Sequence, residues 1–285
     1  MPKTDKTDKT KNTELDRILE KELKRAGEKN ADAGETEDEG SGSYEQTLKL
    51  CGIGLNEAEN LAADLLKGEN PALTIEDRDG EVHIHVSALP DGEKSAKKLA
   101  KRVIKELKSR FSEKIYTTED TVTLEQTVYE LLRSNSLTVT TAESCTGGLV
   151  AARLINVPGA SEVFKEGFIT YSNKAKRTRL GVKKSTLLKH GAVSEQTVKE
   201  MTKGALFTSR ADVAVAVSGV AGPDGGNEEK PVGTVFVGCN IRGKIEVCEY
   251  HFDGDRNEVR QKTVTAALSL LRRCMLKLYS ENNFR

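Results

Sequence analysis

Neither sign of charge is in excess: 44 Lys and Arg offset 44 Asp and Glu across 285 residues, so no global field draws the chain to nucleic acid or an anionic membrane. Long apolar runs are missing too. No stretch approaches the ~20 apolar residues of a membrane-spanning helix, and the N-terminal M-P-K-T-D-K-T-D-K-T-K lacks the apolar core of a signal peptide. A soluble, cytoplasmic protein is expected. The five cysteines, at 51, 145, 239, 248 and 274, show no C-x-x-C spacing. Their odd number in a chain this long argues against a disulfide scaffold and for a reduced compartment. Histidine is scarce, four in all and none beside a plausible acid in sequence, which weakens any Ser-His-Asp triad.

What is present changes sharply along the chain. Residues 1–44 run from a Lys/Thr repeat into G-E-T-E-D-E-G-S-G-S and cannot bury enough apolar surface to offset chain entropy, so a disordered charged tail is expected. Within it, Leu15, Ile18, Leu19 and Leu23 share a helical face, and Thr13 with Asp16 resembles a capping box. That segment reads as a transient helix or a docking helix. Residues 45–119 have a globular pattern: an amphipathic helix over 56–67, alternating strands near 73–76 and 82–86 turning at Asp79-Gly80, and a long helix with Leu99, Val103, Leu107 and Phe111 every four residues. This predicts a small α+β module. The lysines around that last helix read as a solvated face, with phosphate binding the lesser alternative. His83 and His85 share one face of a strand, but no third metal ligand is evident in the sequence, so they are read as exposed strand residues.

Residues 120–285 alternate strands and helices with apolar strand cores, the pattern of an α/β domain. Thr123 and Gln126 form a T-x-x-Q capping box before a helix, and 137–141 reads as a strand. Ala142 to Gly148, A-E-S-C-T-G-G, then leads into a helical run, giving strand, tight turn and helix. Such turns gather ligands at the carboxyl ends of strands, where helix N-termini offer N–H groups to oxyanions. Ser144 is the candidate nucleophile, and Thr146, Gly147 and Gly148 are expected to line the substrate and supply those N–H groups. On these residues alone, a helix cap by Ser144 or Thr146 is the more ordinary reading. Cys145 is a rival nucleophile without an obvious histidine. A second strand, 167–172, ends at Tyr171-Ser172-Asn173 and passes into Lys174-Ala175-Lys176; a buried lysine would serve as base for a serine. A third, 212–217, is apolar throughout and ends at Ser218, followed by G-V-A-G-P-D-G-G with Gly219 and Gly222, a loop suited to a phosphate or ribose or simply a connector. Two further strands pair through Arg242-Gly243. Gly254-Asp255-Arg256 then opens a final helix on which Arg256 and Arg260, one turn apart, could clamp a phosphate.

Six strings in order, T-A-E-S-C-T-G-G at 141, Y-S-N-K-A-K at 171, H-G-A-V-S-E at 190, S-G-V-A-G-P-D-G-G at 218, K-P-V-G-T-V at 230 and G-D-R at 254, resemble the C-terminal domain of the CinA (competence/damage-inducible) family over 123–273. Residues 50–115, with C-G-I-G-L at 51, resemble the K-homology-like module that precedes it. The resemblance implies a three-layer α/β/α domain and a small KH-like domain. It also implies nicotinamide-nucleotide amidase activity, converting nicotinamide mononucleotide to nicotinic acid mononucleotide and ammonia without metal or cofactor. In its motifs Ser144 matches the nucleophile, Tyr171 and Lys176 its activators, and Lys176 is preferred to Lys174 on that ground. Ser218, where many relatives have threonine, and Arg256 with Arg260 match groups that hold the substrate. A homodimer is expected from the family. Full-length relatives also carry an N-terminal molybdopterin-binding-like domain tied to pyrophosphatase chemistry; the charged tail stands in its place, so no pyrophosphatase activity is expected. A nucleotide-binding regulator with little amidase activity is the runner-up. An RNA-binding adaptor is a third reading, weakened because the module lacks the GXXG loop of KH domains.

Overall fold

The computed structural model describes residues 42–282 apart from 93. Of the expected tail only 42–44 fall within that range, and the face of Leu15, Ile18, Leu19 and Leu23 lies outside it. The chain divides after Thr123 into two compact units.

In the first unit four antiparallel strands, β1 (Tyr44–Leu50), β2 (Ala72–Arg78), β3 (Glu81–Ala88) and β4 (Ile115–Thr117), lie in the order β2-β3-β1-β4. β2 and β3 form the expected hairpin: Asp79 and Gly80 both have positive φ (54° and 85°), the geometry of a type I′ turn. Strand alternation sends Leu48, Leu50, Val82, Ile84 and Val86 to one face. There they pack with Ala58 and Ala62 of helix α1 (Leu55–Ala62) and Ala100, Ile104, Leu107 and Phe111 of α2 (Ala96–Phe111). The buried stripe of α2 runs through the alanines at 96 and 100, leaving Leu99 and Val103 only half-buried, so the sheet meets α2 along a line shifted from the expected one. Its lysines at 97, 98, 101, 105 and 108 are exposed. The opposite face carries Lys49, Glu76, Glu81, His83 and His85, and His83 is buried there rather than exposed.

The second unit is built on five strands in the order β6-β5-β7-β8-β9: β5 (Val139–Glu143), β6 (Phe164–Ile169), β7 (Val213–Gly219), β8 (Thr234–Ile241) and β9 (Lys244–His251). β5 is parallel to both β6 and β7, whereas β8 and β9 are antiparallel. Ala142, Ala214, Ala216 and Phe236 face helices α5 (Asn173–Leu180), α6 (Lys184–His190) and α7 (Glu195–Ser209), meeting Leu180, Leu187, Val198, Met201 and Ala205 in one apolar cluster. The alternate residues, Thr141, Val215, Val217, Val237 and Cys248, point the other way, toward α4 (Leu149–Ile155) and α8 (Arg256–Asn282). A Cβ on Gly167 would lie 3.4 Å from Ala151 of α4, and Arg273 of α8 donates to the Cys248 sulfur. Helix α3 (Leu124–Ser134) is tied to α4 by the Arg153–Glu125 ion pair at 2.9 Å. This is the expected three-layer α/β/α domain. Among the described residues no helix is long and apolar enough to cross a membrane.

Candidate active site

The three parallel strands end side by side, so β5, β6 and β7 deliver residues 144, 170–171 and 218–219 to one edge of the sheet. The Ser144 N–H donates to the Val217 carbonyl at 3.1 Å and the Thr170 N–H to the Glu143 carbonyl at 2.7 Å, continuing the ladder past the strand ends. Ser144 therefore leaves the sheet from a fixed backbone. Gly147 and Gly148 follow with φ of +63° and +104°, conformations in which a side chain would be strained, and this lets the chain reverse directly into α4.

Lys176 sits in the first turn of α5, whose N-cap, Ser172, accepts from the Ala175 N–H at 3.0 Å. While Lys174 points to solvent, Lys176 turns inward and is 1 % exposed. Its Nζ donates to Ser144 Oγ and to the Thr170 carbonyl, both at 2.8 Å, with the Tyr171 carbonyl at 3.5 Å. Among the described residues no carboxylate pairs with it. Burial without a counter-charge pulls its pKa down from 10.5 to about 8. Burial acts oppositely on Cys145, pushing its thiol up to about 11, so this rival nucleophile stays protonated at neutral pH.

Glu143, a site residue the sequence reading did not single out, explains how the turn is held. Its buried carboxylate accepts from the Thr146 hydroxyl (2.7 Å) and from the N–H groups of Gly148 (2.9 Å), Val150 (3.1 Å) and Ala151 (2.8 Å). It thus occupies the positive end of α4, which was expected to meet the substrate. The Gly147 N–H is also taken, by the Ser144 carbonyl at 3.1 Å. The oxyanion donors expected at Gly147 and Gly148 are accordingly spent, and the Thr146 hydroxyl serves structure. The backbone N–H groups of Cys145 and Thr146, next to Ser144, face the Cys145 sulfur. The signal for Glu143 was a lone acid ending a strand of otherwise small uncharged residues, placed to cap the following helix.

The other expected residues divide between scaffold and rim. Tyr171 is 62 % exposed, and its hydroxyl accepts from Arg256 Nη2 at 3.1 Å. No hydrogen bond among the described residues joins that hydroxyl to Ser144 or Lys176. Ser218 is buried and donates to the Ala192 carbonyl at 2.8 Å, tying the segment before α7 to the end of β7. A Cβ on Gly219 would lie 2.6 Å from Val235, and one on Gly222 would lie 2.5 Å from Val232, so both glycines are accounted for by close packing of the loop on the β8 side. Arg256 is exposed and donates to the Gly222 carbonyl at 2.6 Å. Arg260 is turned inward, donating to the carbonyls of Cys145 (3.2 Å) and Thr146 (3.1 Å) and so bracing the turn from below.

The CinA C-terminal domain family matches residues 121–275, and the damage-inducible protein CinA KH domain family matches 45–117. A protein of Clostridium novyi named for competence-damage induction is 44 % identical over 235 residues, 82 % of this chain and 56 % of the relative. A "CinA-like protein" of Dictyoglomus thermophilum is 40 % identical over 236 residues, 82 % of this chain and 57 % of that one. The chain therefore spans about half the length of these relatives. Among solved structures, the competence/damage inducible protein CihA from Agrobacterium tumefaciens is 47 % identical with a TM-score of 0.51, covering 52 % of this chain and 91 % of that one. A CinA superfamily protein from Klebsiella pneumoniae is 41 % identical with a TM-score of 0.52, covering 53 % and 95 %.

Proposed function

The chain belongs to the CinA family, and on that footing we propose that it is a cytoplasmic, metal-independent amidohydrolase that deamidates nicotinamide mononucleotide through Ser144. The observation that carries the reading is the contact between Lys176 Nζ and Ser144 Oγ at 2.8 Å, with a lysine whose pKa is about 8. At pH 7 about a tenth of such a lysine is neutral, and the neutral amine accepts the proton that Ser144 gives up over the same distance.

The alkoxide attacks the carboxamide carbon, and the Cys145 and Thr146 N–H groups, which face the Cys145 sulfur in the resting site, turn to the oxygen that becomes negative. Lys176, now an ammonium, returns its proton to the departing nitrogen, which leaves as ammonia. The acyl group is then an ester on Ser144. Water attacks it with neutral Lys176 again as base, releasing the carboxylate product and restoring the serine. The thiol of Cys145 remains protonated throughout, so it offers no competing nucleophile. Tyr171 acts at the rim: its phenol and the Gly222 carbonyl orient Arg256, whose remaining guanidinium capacity takes the phosphate and aligns the amide from a distance.

Incubation with nicotinamide mononucleotide should release ammonia and nicotinic acid mononucleotide in equal amounts, and Ser144→Ala should bind the nucleotide without turning it over. Binding of the nucleotide by the unaltered chain with no ammonia released would replace this reading with that of a regulatory nucleotide-binding protein.

A further inference from the structure

The polar face of the first unit's sheet holds three ligand-type side chains that the amidase chemistry does not use. His83 and His85 lie two apart on β3, so strand alternation places both imidazoles on the same side. Glu76 lies directly opposite His83 on β2 and so joins that face, supplying the third ligand that was not evident in the sequence. One donor atom from each of Glu76, His83 and His85 falls within 4.8 Å of the other two. Around a tetrahedral ion with bonds of about 2.0–2.2 Å, ligand atoms stand about 3.3–3.6 Å apart, so small side-chain rotations close the set.

Two independent features point to an ion rather than to a self-contained polar cluster. His83 is 7 % exposed, yet its Nε2 has no hydrogen-bond partner; the nearest acid, Glu81 Oε2, is 3.7 Å away. A buried imidazole nitrogen left unpaired costs free energy that a metal bond would recover. His85, in turn, is already oriented as a ligand. Its Nδ1 meets Thr47 Oγ1 of β1 at 3.1 Å, and its Nε2 points at Glu76 Oε1, 2.9 Å away. The 2.9 Å contact requires a hydrogen on Nε2; a metal would take that hydrogen's place between Nε2 and Glu76, with Thr47 Oγ1 then accepting from Nδ1–H, the usual outer support of a metal-bound histidine.

The surroundings fit a cation. Glu76 Oε1 accepts from Arg78 Nε at 2.6 Å and meets His85 Nε2 at 2.9 Å, so both contacts fall on one carboxylate oxygen. Glu81 accepts from the Tyr116 hydroxyl at 2.5 Å, which fixes this acid's position beside His83. The Lys49 ammonium, on the same face, is turned to the carbonyls of Asp120 and Val122 at 2.6 and 3.0 Å.

From this geometry we propose that Glu76, His83 and His85 bind one zinc-class divalent transition metal, through two imidazoles and one carboxylate, leaving a fourth position open on the sheet face. Two neutral nitrogens and one hard oxygen suit zinc over calcium or magnesium, which demand oxygen sets. Three protein ligands with an open place resemble a reactive or ligand-accepting centre rather than a closed structural one.

The test uses the full chain, stripped with a chelator and titrated with Co2+ as the visible stand-in for Zn2+. Binding of one Co2+ per chain with the strong visible bands of four-coordinate geometry, displaced by Zn2+, is expected. Glu76→Gln and His85→Asn sit at partly exposed positions, where folding checked by circular dichroism should survive, and each should weaken binding by about 100-fold. Thr47→Val should weaken it by about tenfold. Absence of stoichiometric binding, equal affinity in the folded Glu76→Gln and His85→Asn variants, or a thiolate-to-cobalt charge-transfer band placing the ion on cysteine would each overturn the proposal.

Discussion

The nitrogen of Lys176 and the hydroxyl oxygen of Ser144 stand 2.8 Å apart, although 32 residues separate them in the chain. The contact exists because β5 and β6 are adjacent and parallel: one strand ends just before the serine, while the next ends at Ile169, seven residues before the lysine in the first turn of α5. Neighbouring strand ends thus achieve what no local motif could, setting a base against a nucleophile with both side chains buried.

That relationship fixes a pH dependence. Lys176 is active as the neutral amine and loses its proton near pH 8, so kcat/KM should climb tenfold per pH unit below that point and level off above it. Lys176→Arg keeps the positive charge at all accessible pH values and should lose about 10²–10⁴-fold in rate. Initial rates of ammonia release across the range test this, and a profile flat from about pH 6 to 9 would remove Lys176 as the base.

The same lysine weakens the fold it serves. Its folded pKa, about 8, lies below the ordinary 10.5, so the unfolded chain holds this proton more tightly. The penalty is complete below pH 8 and fades as pH rises toward 10.5. The shift corresponds to about 3 kcal/mol at most. Lys176→Met removes the buried charge while leaving the Thr170 carbonyl without its partner, for a net gain of about 1–2 kcal/mol. Thermal unfolding at pH 7 should shift up by a few degrees in an inactive protein. The gain should vanish near pH 10, and a melting point lowered at pH 7 would contradict the argument.

Glu143 gives the complementary case, an acid that supports the site without touching substrate. Its carboxylate satisfies three backbone N–H groups and the Thr146 hydroxyl at once. Glu143→Gln turns an amide NH2 toward those donors and should cost about 2–4 kcal/mol in urea unfolding. Turnover should fall because the serine turn loosens, while the pH midpoint set by Lys176 stays in place. A shift of that midpoint would mean that Glu143 acts on the lysine's charge instead.

How much of this was legible beforehand depends on whether the determinant was local. The period-two strands, the Asp79-Gly80 hairpin and the apolar β7 announced themselves because their signals lie within a few residues. Ser144 and Lys176 could be proposed as partners from the parallel strand pattern, and the resemblance to the family singled them out. The roles of Tyr171 and Ser218 read differently in the structure because each is decided by a neighbour remote in sequence, Arg256 and Ala192, whereas Gly148 meets Glu143 only five residues away. Glu76 joined His83 and His85 for the same reason, since only the register of β2 on β3 sets them opposite one another.

The two arginines of α8 should separate cleanly. Arg260 spends its guanidinium on the carbonyls of Cys145 and Thr146, so Arg260→Ala should depress kcat through the turn and destabilise the domain. Arg256 stands exposed with one carbonyl and the Tyr171 phenol as partners, leaving donors for a phosphate. Arg256→Ala should therefore lower kcat/KM for the mononucleotide about 10- to 100-fold, with kcat falling as well as KM rising. It should have almost no effect on the nucleoside that lacks the phosphate, because the lost interaction is to that group alone. Steady-state rates on the pair of substrates decide it: an equal loss on both would show that Arg256 shapes the pocket rather than holding the phosphate.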